Sequence, residues 1–287
     1  MNFPNSFDFD IYKKNNIDLQ KFNNDGLLNH YNNYGKNEGR KCSQIFDRND
    51  LKKCIPLTSK CLEIGPFDCP VLTKQFNVKY FDVLTQDKLR DRAIKINRTN
   101  NLDGIPFIDY VSESGDLTII DEKFDVVLSC HSIEHQPNLI KHLKDVSNLL
   151  CHNGCYIVIL PDKRYCFDHF IKETTIADII HMNVNSTKHT IKSVIEHRSL
   201  TCHNDAIRHW NNDHGIQTLN SDSILNAIKE YEESDTYIDV HSMQFTPSSF
   251  KDIIDVLNKM RYIDLEVDKI YGPYRNTQEF FAVLRKK

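Results

Sequence analysis

Histidine and its partners gather in one stretch of this chain. The segment IEHRSLTCHNDAIRHWNNDHG (195–215) holds His197, His203, His209 and His214 beside Asn204, Asp205 and Asp213. A neutral imidazole accepts a proton near pH 7 and also ligates metals. His203, Asp205, His209, Asp213 and His214 are ligand types at helix-like spacing. No HExxH or Cys/His zinc pattern accompanies them, so no metal is assigned and a hydrogen-bonded substrate lid is expected. A second cluster is LPDKRYCFDHF (160–170), with Asp162, Lys163, Arg164, Tyr165 and Asp168. A third, DVHSMQFTP (239–247), adds His241. Trp210, the only tryptophan, stands among these polar groups, where it can pack on a ligand ring or join a core.

Alternating strands and helices must position these groups. CLEIG is a short apolar strand ending at Gly65, and Pro70 to Gln75 is expected to start a helix. VKYFDV (78–83) is a second strand, followed by a helix around QDKLRDRAIKI. IDYV (108–111) and FDVVLSC (124–130) are the third and fourth strands. PNLIKHLKDVSNLL (137–150) has helical spacing and is expected to stop at Asn153-Gly154, before the strand CYIVILP (155–161). The rhythm breaks over 162–245, read as a lid or substrate insertion with helical pieces near 170–183 and 221–232. It resumes with a helix at 246–260, capped by Thr246 with Pro247 in its first turn. Two strands, IDLEVDKIY and EFFAVLRK, follow. The pattern is α/β, a Rossmann-like, doubly wound, mostly parallel sheet.

Residues 1–45 read as a small helical module ahead of a main domain at 46–287. Phe9, Tyr12, Leu19, Phe22, Leu27, Leu28, Tyr31 and Tyr34 are its candidate satellite cluster. The segment resembles a short helical module of multidomain glycan-modifying proteins that ends in a similar YGxxEGR; the alternative is an N-terminal arm that only packs on the main domain.

Composition narrows the function. The chain has 287 residues, with 36 basic and 40 acidic side chains. That net charge of -4 argues against a nucleic-acid partner, which a basic excess would serve. No apolar run reaches membrane-spanning length, so no membrane partner is expected. The opening MNFPNSFDFD lacks a basic region followed by an apolar run, so no secretory signal is expected. Nine scattered cysteines without a CxxC pair fit reduced thiols and a cytoplasmic location. Self-association stays open. GxGxxG and GxxxxGK[ST] are absent, which disfavours a pyrophosphate-bearing cofactor.

The order strand, EIGP, helix, strand ending in Asp, then FDVVLSCHSIEH, helix and NG before a strand resembles the core of class I S-adenosylmethionine-dependent methyltransferases. A generic member has more glycines where this chain has Pro66, Asp68 and Pro70. EIGP with PDKRYxFD, EHR, HNDxxRHWxxDHG and HxxxFTPxSF is similar to a narrower subgroup, over roughly 55–287. The resemblance implies S-adenosylmethionine as cofactor. Gly65 lets the backbone approach it, Glu63 and Pro66 frame the loop, and the following helix N-terminus offers free N–H groups. Asp82 is placed to accept from two ribose hydroxyls. Asp109 faces the adenine edge with Tyr110 nearby, and Ser129, Cys130 and His131 close the site. The subgroup implies a sugar or nucleotide-sugar acceptor, bound by Lys163, Arg164, Tyr165, Asp168, His203, Asn204, His209 and His214. A hydroxyl or ammonium acceptor must lose a proton, so His131 or His241 is the expected base, with Asp162 orienting it or sharing the proton. Another small metabolite, or a methyltransferase-like scaffold without chemistry, remains the alternative.

Overall fold

The computed structural model describes residues 1–185, 188–217, 219–235 and 237–286. Its centre is a seven-stranded sheet: β1 (Lys60–Ile64), β2 (Asn77–Asp82), β3 (Tyr110–Val111), β4 (Phe124–Cys130), β5 (Leu150–Pro161), β6 (Leu265–Tyr271) and β7 (Glu279–Lys286). Their order is β3-β2-β1-β4-β5-β7-β6. Neighbours from β3 to β5 run parallel, and β7 is antiparallel to both β5 and β6. This is the Rossmann-like, doubly wound fold of class I methyltransferases. β1 pairs with β2 on one side and β4 on the other, so the chain reverses direction of travel across the sheet there. In such sheets ligands bind beyond the strand carboxyl ends at that switch point.

The central strands are apolar throughout because both faces are covered. Along β5, every residue from Cys155 to Pro161 is buried. The helices are α1 (Phe9–Asn15), α2 (Asn24–His30), α3 (Arg48–Lys53), α4 (Gln86–Lys95), α5 (Leu139–Leu149), α6 (Ile176–Asn185), α7 (Ile191–Leu200), α8 (Ala206–Trp210), α9 (Ser221–Glu233) and α10 (Pro247–Lys259). On α5, Leu139, Ile140, Leu143 and Val146 share the stripe that packs on the sheet. α10 starts with Thr246 and Ser249 in a reciprocal capping box and Pro247 in its first turn, as its sequence predicts.

Three expectations need correction. No helix forms over Pro70 to Gln75. Pro66 and Pro70 lack N–H donors, and the carboxylate of Glu63 captures the N–H groups of Val71 and Leu72 instead. The helix N-terminus expected beside the cofactor is therefore absent. Asn153-Gly154 does not end α5, which stops at Leu149; the pair lies inside β5, where Asn153 takes φ 63° in an irregular stretch of the ladder. The third strand shrinks to Tyr110–Val111. The polar run 195–215 contains the end of α7 and all of α8, whose apolar spacing is masked by histidines.

The stretch 162–245 carries α6 to α9. α7 and α9 pack through Val194, Ala227, Ile238 and Val240, a small cluster apart from the main core. In the N-terminal segment Tyr12, Leu19 and Leu27 are buried with Cys42 and Tyr274, and Phe9 and Tyr31 pack against them. Phe22, Leu28 and Tyr34 of the expected cluster are exposed. No helix among the described residues is long and apolar enough to cross a membrane.

Candidate active site

A cavity of about 1040 Å³ opens over the carboxyl ends of β1, β2 and β4. One end is built from short-range sequence. β1 and β2 pair Ile64 with Phe81, which sets Gly65 beside Asp82. The Gly65 N–H donates to Phe81 O at 2.9 Å, and Gly65 has φ 69°. That left-handed backbone favours glycine, and an added Cβ would meet Ser132 Oγ at 3.3 Å. Glu63 is 1% exposed and accepts from Val71 N at 2.7 Å and Leu72 N at 2.8 Å. Burial pushes it up to about 7, against the pull of those two bonds. Glu63 lines the cavity, yet both its oxygens hold the loop. Asp82 ends β2, buried, with Oδ1 accepting from Leu84 N at 3.2 Å. Burial pushes it up to about 6. Pro66, Phe67 and Arg92 complete this wall.

The other end is assembled from distant segments. His131, at the tip of β4, has φ 48°, an uncommon conformation for a non-glycine residue. Its Nε2 lies 2.7 Å from Glu279 Oε1 on β7, and its Nδ1 lies 3.5 Å from Glu134 Oε1. Arg48 of α3 holds the other side of Glu279, with Nε 3.0 Å from Oε2. His131 and Arg48 keep Glu279 ionised at a depressed pKa of about 2, although burial alone would raise it.

His241 lies near the end of the 162–245 insertion and is 5% exposed. It is fixed by lacing to the loop after β4: Ser242 N donates to Glu134 O at 2.8 Å, and Ser242 Oγ to Gln136 O at 2.9 Å. Its Nδ1 lies 2.6 Å from Asp168 Oδ2. Burial drives the imidazole neutral, down to about 3, and pushes Asp168 up to about 7. His197 Nδ1 accepts from the backbone N–H of His241 at 3.1 Å, and burial lowers His197 to about 4. His135 Nδ1 stands 3.2 Å from Asp239 Oδ1; burial opposes its charged form, but Asp239 and Glu134 outweigh burial and raise its pKa. Burial holds the Cys130 thiol well above its ordinary range, so it is no nucleophile here.

The cavity thus brings together Glu63, Gly65, Pro66, Asp82, Cys130, His131 and His241, and reaches Asp168 through His241. It leaves other sequence candidates outside. Asp109 is exposed and accepts from Tyr80 N at 2.9 Å, pinning β2 to the segment before β3. The Tyr110 hydroxyl donates to Glu122 at 2.5 Å. Ser129 Oγ is buried against Tyr156 Oη at 2.7 Å. Asp162 is fully buried, and both its oxygens take Arg164, at 2.9 and 2.7 Å. Lys163 Nζ donates to His169 O, and Tyr165 stacks on Trp210 at 3.8 Å. The PDKRY segment is therefore a structural joint, with Trp210 Nε1 donating to Thr277 O. His203, Asn204, His209 and His214 form a separate knot. Asn204 Oδ1 accepts from Phe167 N, His209 Nε2 donates to His203 O, and the rings of His169 and His214 stack at 3.7 Å.

Sequence reasoning missed Arg48, Glu134, His135, Phe167, Asp239 and Glu279. Glu134 and His135 sit in the quoted HSIEH, and Asp239 opens DVHSM, so pairing of those two strings was the available signal. Arg48 carries none.

Residues 69–158 match the family model described as a methyltransferase domain. Residues 69–158 thus carry a methyltransferase domain, whose expected cofactor is S-adenosylmethionine. The residues present fit that cofactor: Asp82 is a buried acceptor beside a side-chain-free approach at Gly65, in a cavity large enough for a nucleoside and an acceptor. Among solved structures the chain is similar to an S-adenosylmethionine-dependent methyltransferase from Clostridium acetobutylicum, with 10% identity over 83% of this chain and 87% of that one, TM-score 0.42. It is also similar to the CcbJ methyltransferase from Streptomyces caelestis, with 10% identity over 84% of this chain and 94% of that one, TM-score 0.42. Against the mitomycin 7-O-methyltransferase MmcR, 80% of this chain spans about half (49%) of the other's length, with 10% identity and TM-score 0.38. No curated protein matches the sequence.

Proposed function

We propose that this protein transfers a methyl group from S-adenosylmethionine to a hydroxyl or amino group of a sugar or nucleotide-sugar acceptor. The observation that carries this reading is one cavity lined by Gly65, Asp82 and the His131–Glu279 pair. The cofactor supplies an electrophilic methyl group on a sulfonium. Asp82 accepts from the ribose hydroxyls, and the Gly65 backbone lets the ligand lie close to the sheet. His131 takes the acceptor's proton, and Glu279 fixes its ring and stabilises the imidazolium, the arrangement that orients a general base. Positioning the acceptor in line with the methyl group supplies much of the remaining rate.

The sugar acceptor is supported by the resemblance of PDKRYxFD and its companion motifs. It is also supported by the wall itself, where Phe167 and Tyr237 offer apolar faces among histidines and carboxylates. A sugar presents the same mixture of C–H faces and hydroxyls. All nine cysteines are free thiols, in keeping with a reducing, cytoplasmic setting. An acceptor screen with methyl-labelled cofactor tests the reading, using nucleotide sugars against nucleic acids and proteins. Label on a nucleotide sugar is expected; label confined to nucleic acid or protein refutes the acceptor class.

A further inference from the structure

Glu134 is 1% exposed, yet neither of its carboxylate oxygens has a hydrogen-bond partner. A buried carboxylate without donors costs several kcal/mol unless a cation neutralises it. Three imidazoles surround it. His131 Nδ1 stands 3.5 Å from Oε1 and His241 Nε2 stands 4.0 Å from it, too far for hydrogen bonds. His135 contributes the third, its ring perpendicular to that of His241 at 84° with centroids 4.5 Å apart. Glu134, His135 and His241 each offer a ligand atom within 4.8 Å of the others.

The outer partners are also in place. His241 turns Nδ1 to Asp168, which leaves its Nε2 lone pair facing Glu134. His135 sets Nδ1 toward Asp239. A carboxylate hydrogen-bonded behind an imidazole, as Asp168 is behind His241, is what orients a metal-bound histidine and raises its basicity.

We propose that Glu134, His135 and His241 form a binding site for a divalent transition ion, Zn²⁺ by donor type, at the acceptor end of the cavity. One carboxylate and two imidazoles leave open positions, so the ion holds an acceptor oxygen and favours loss of its proton. That role rests on the methyl-transfer reading; the binding itself does not. The ion selects oxygen acceptors, a hydroxyl over an amine.

Two other clusters of ligand types occur among the described residues. In the Cys130, His131 and Glu279 group the carboxylate is already taken by His131 and Arg48. In the His169, His209 and His214 group two rings lie parallel, 9° apart and stacked at 3.7 Å, so their in-plane lone pairs cannot converge on one ion.

The test is a Co²⁺ titration of the chelator-treated full chain, read by visible absorption, with Zn²⁺ displacement. One equivalent should bind with a nitrogen–oxygen ligand-field spectrum. Glu134→Gln should weaken binding at least tenfold, and Asp168→Asn, which acts through His241, by about tenfold. His214→Ala should bind as wild type. S-adenosylmethionine binding measured in parallel should stay within about twofold in Glu134→Gln, which shows that variant folded. Absence of Co²⁺ binding, unchanged affinity in Glu134→Gln, or loss confined to His214→Ala would overturn the site. Failure of wild type to bind S-adenosylmethionine would instead sink the methyl-transfer reading and leave the ion result standing.

Discussion

The two ends of the cavity are built in opposite ways. At the cofactor end, Glu63, Gly65 and Asp82 come from adjacent strands, and backbone register alone places them. At the acceptor end, His131, Asp168, His241 and Glu279 come from the tip of β4, the start and the end of the 162–245 insertion, and β7, joined by side-chain bonds. The first end reads the fold; the second reads what the insertion 162–245 brings to the fold. One sheet can thus keep a cofactor site constant while a lid changes the chemistry beside it.

Variants can break that division. The largest effect is expected at the acceptor end. His131→Ala should lower turnover by a factor on the order of 10² to 10⁴ with cofactor affinity unchanged. Turnover close to wild type would remove His131 as the base. Next comes Asp82→Ala. Losing hydrogen bonds to a charged acceptor, about 3 kcal/mol in all, should weaken cofactor retention in equilibrium dialysis roughly 100-fold. Gly65→Ala forces a side chain into a left-handed backbone at a cost of about 1–2 kcal/mol, so affinity should fall by about tenfold. Equal affinity there would mean that the loop does not contact the ligand.

Acidification sharpens the same comparison. The raised Asp82 keeps its carboxylate only above about 6. Cofactor affinity should therefore fall by about tenfold between pH 7 and pH 5. The sign for stability is the reverse. A carboxyl whose folded pKa lies above its unfolded one favours the folded state as it protonates, so Asp82 and Glu63 add stability as pH falls from about 7 toward 4. Loss of binding at pH 5 without loss of melting temperature from these groups separates the two effects. The smallest change is expected for Asp109→Ala, whose carboxylate only caps Tyr80 N; affinity should move less than about twofold.

This division also explains what the sequence disclosed. The strand–helix alternation, the turn at Gly65 and the place of Asp82 at the end of β2 were legible because they follow from hydrophobic period and from a turn that suits glycine. The stretch 70–75 forms no helix because its helical pattern is overridden by a single buried carboxylate, Glu63. Asp162 drew attention by its position, but a fully buried aspartate beside Arg164 serves the fold first. Glu134 and Asp168 were opaque as a pair in the sense that matters, since each acquires meaning from a histidine more than 70 residues away. No local period encodes such a meeting.

The account stands on a cavity whose two ends have separate duties. Calorimetric titration of S-adenosylmethionine into wild type, Asp82→Ala and His131→Ala under one buffer tests this most directly. The first and third proteins should bind one equivalent with matching affinity, and the second should give no saturable heat over the same range. Saturable binding by Asp82→Ala at wild-type affinity would contradict the cofactor site described above.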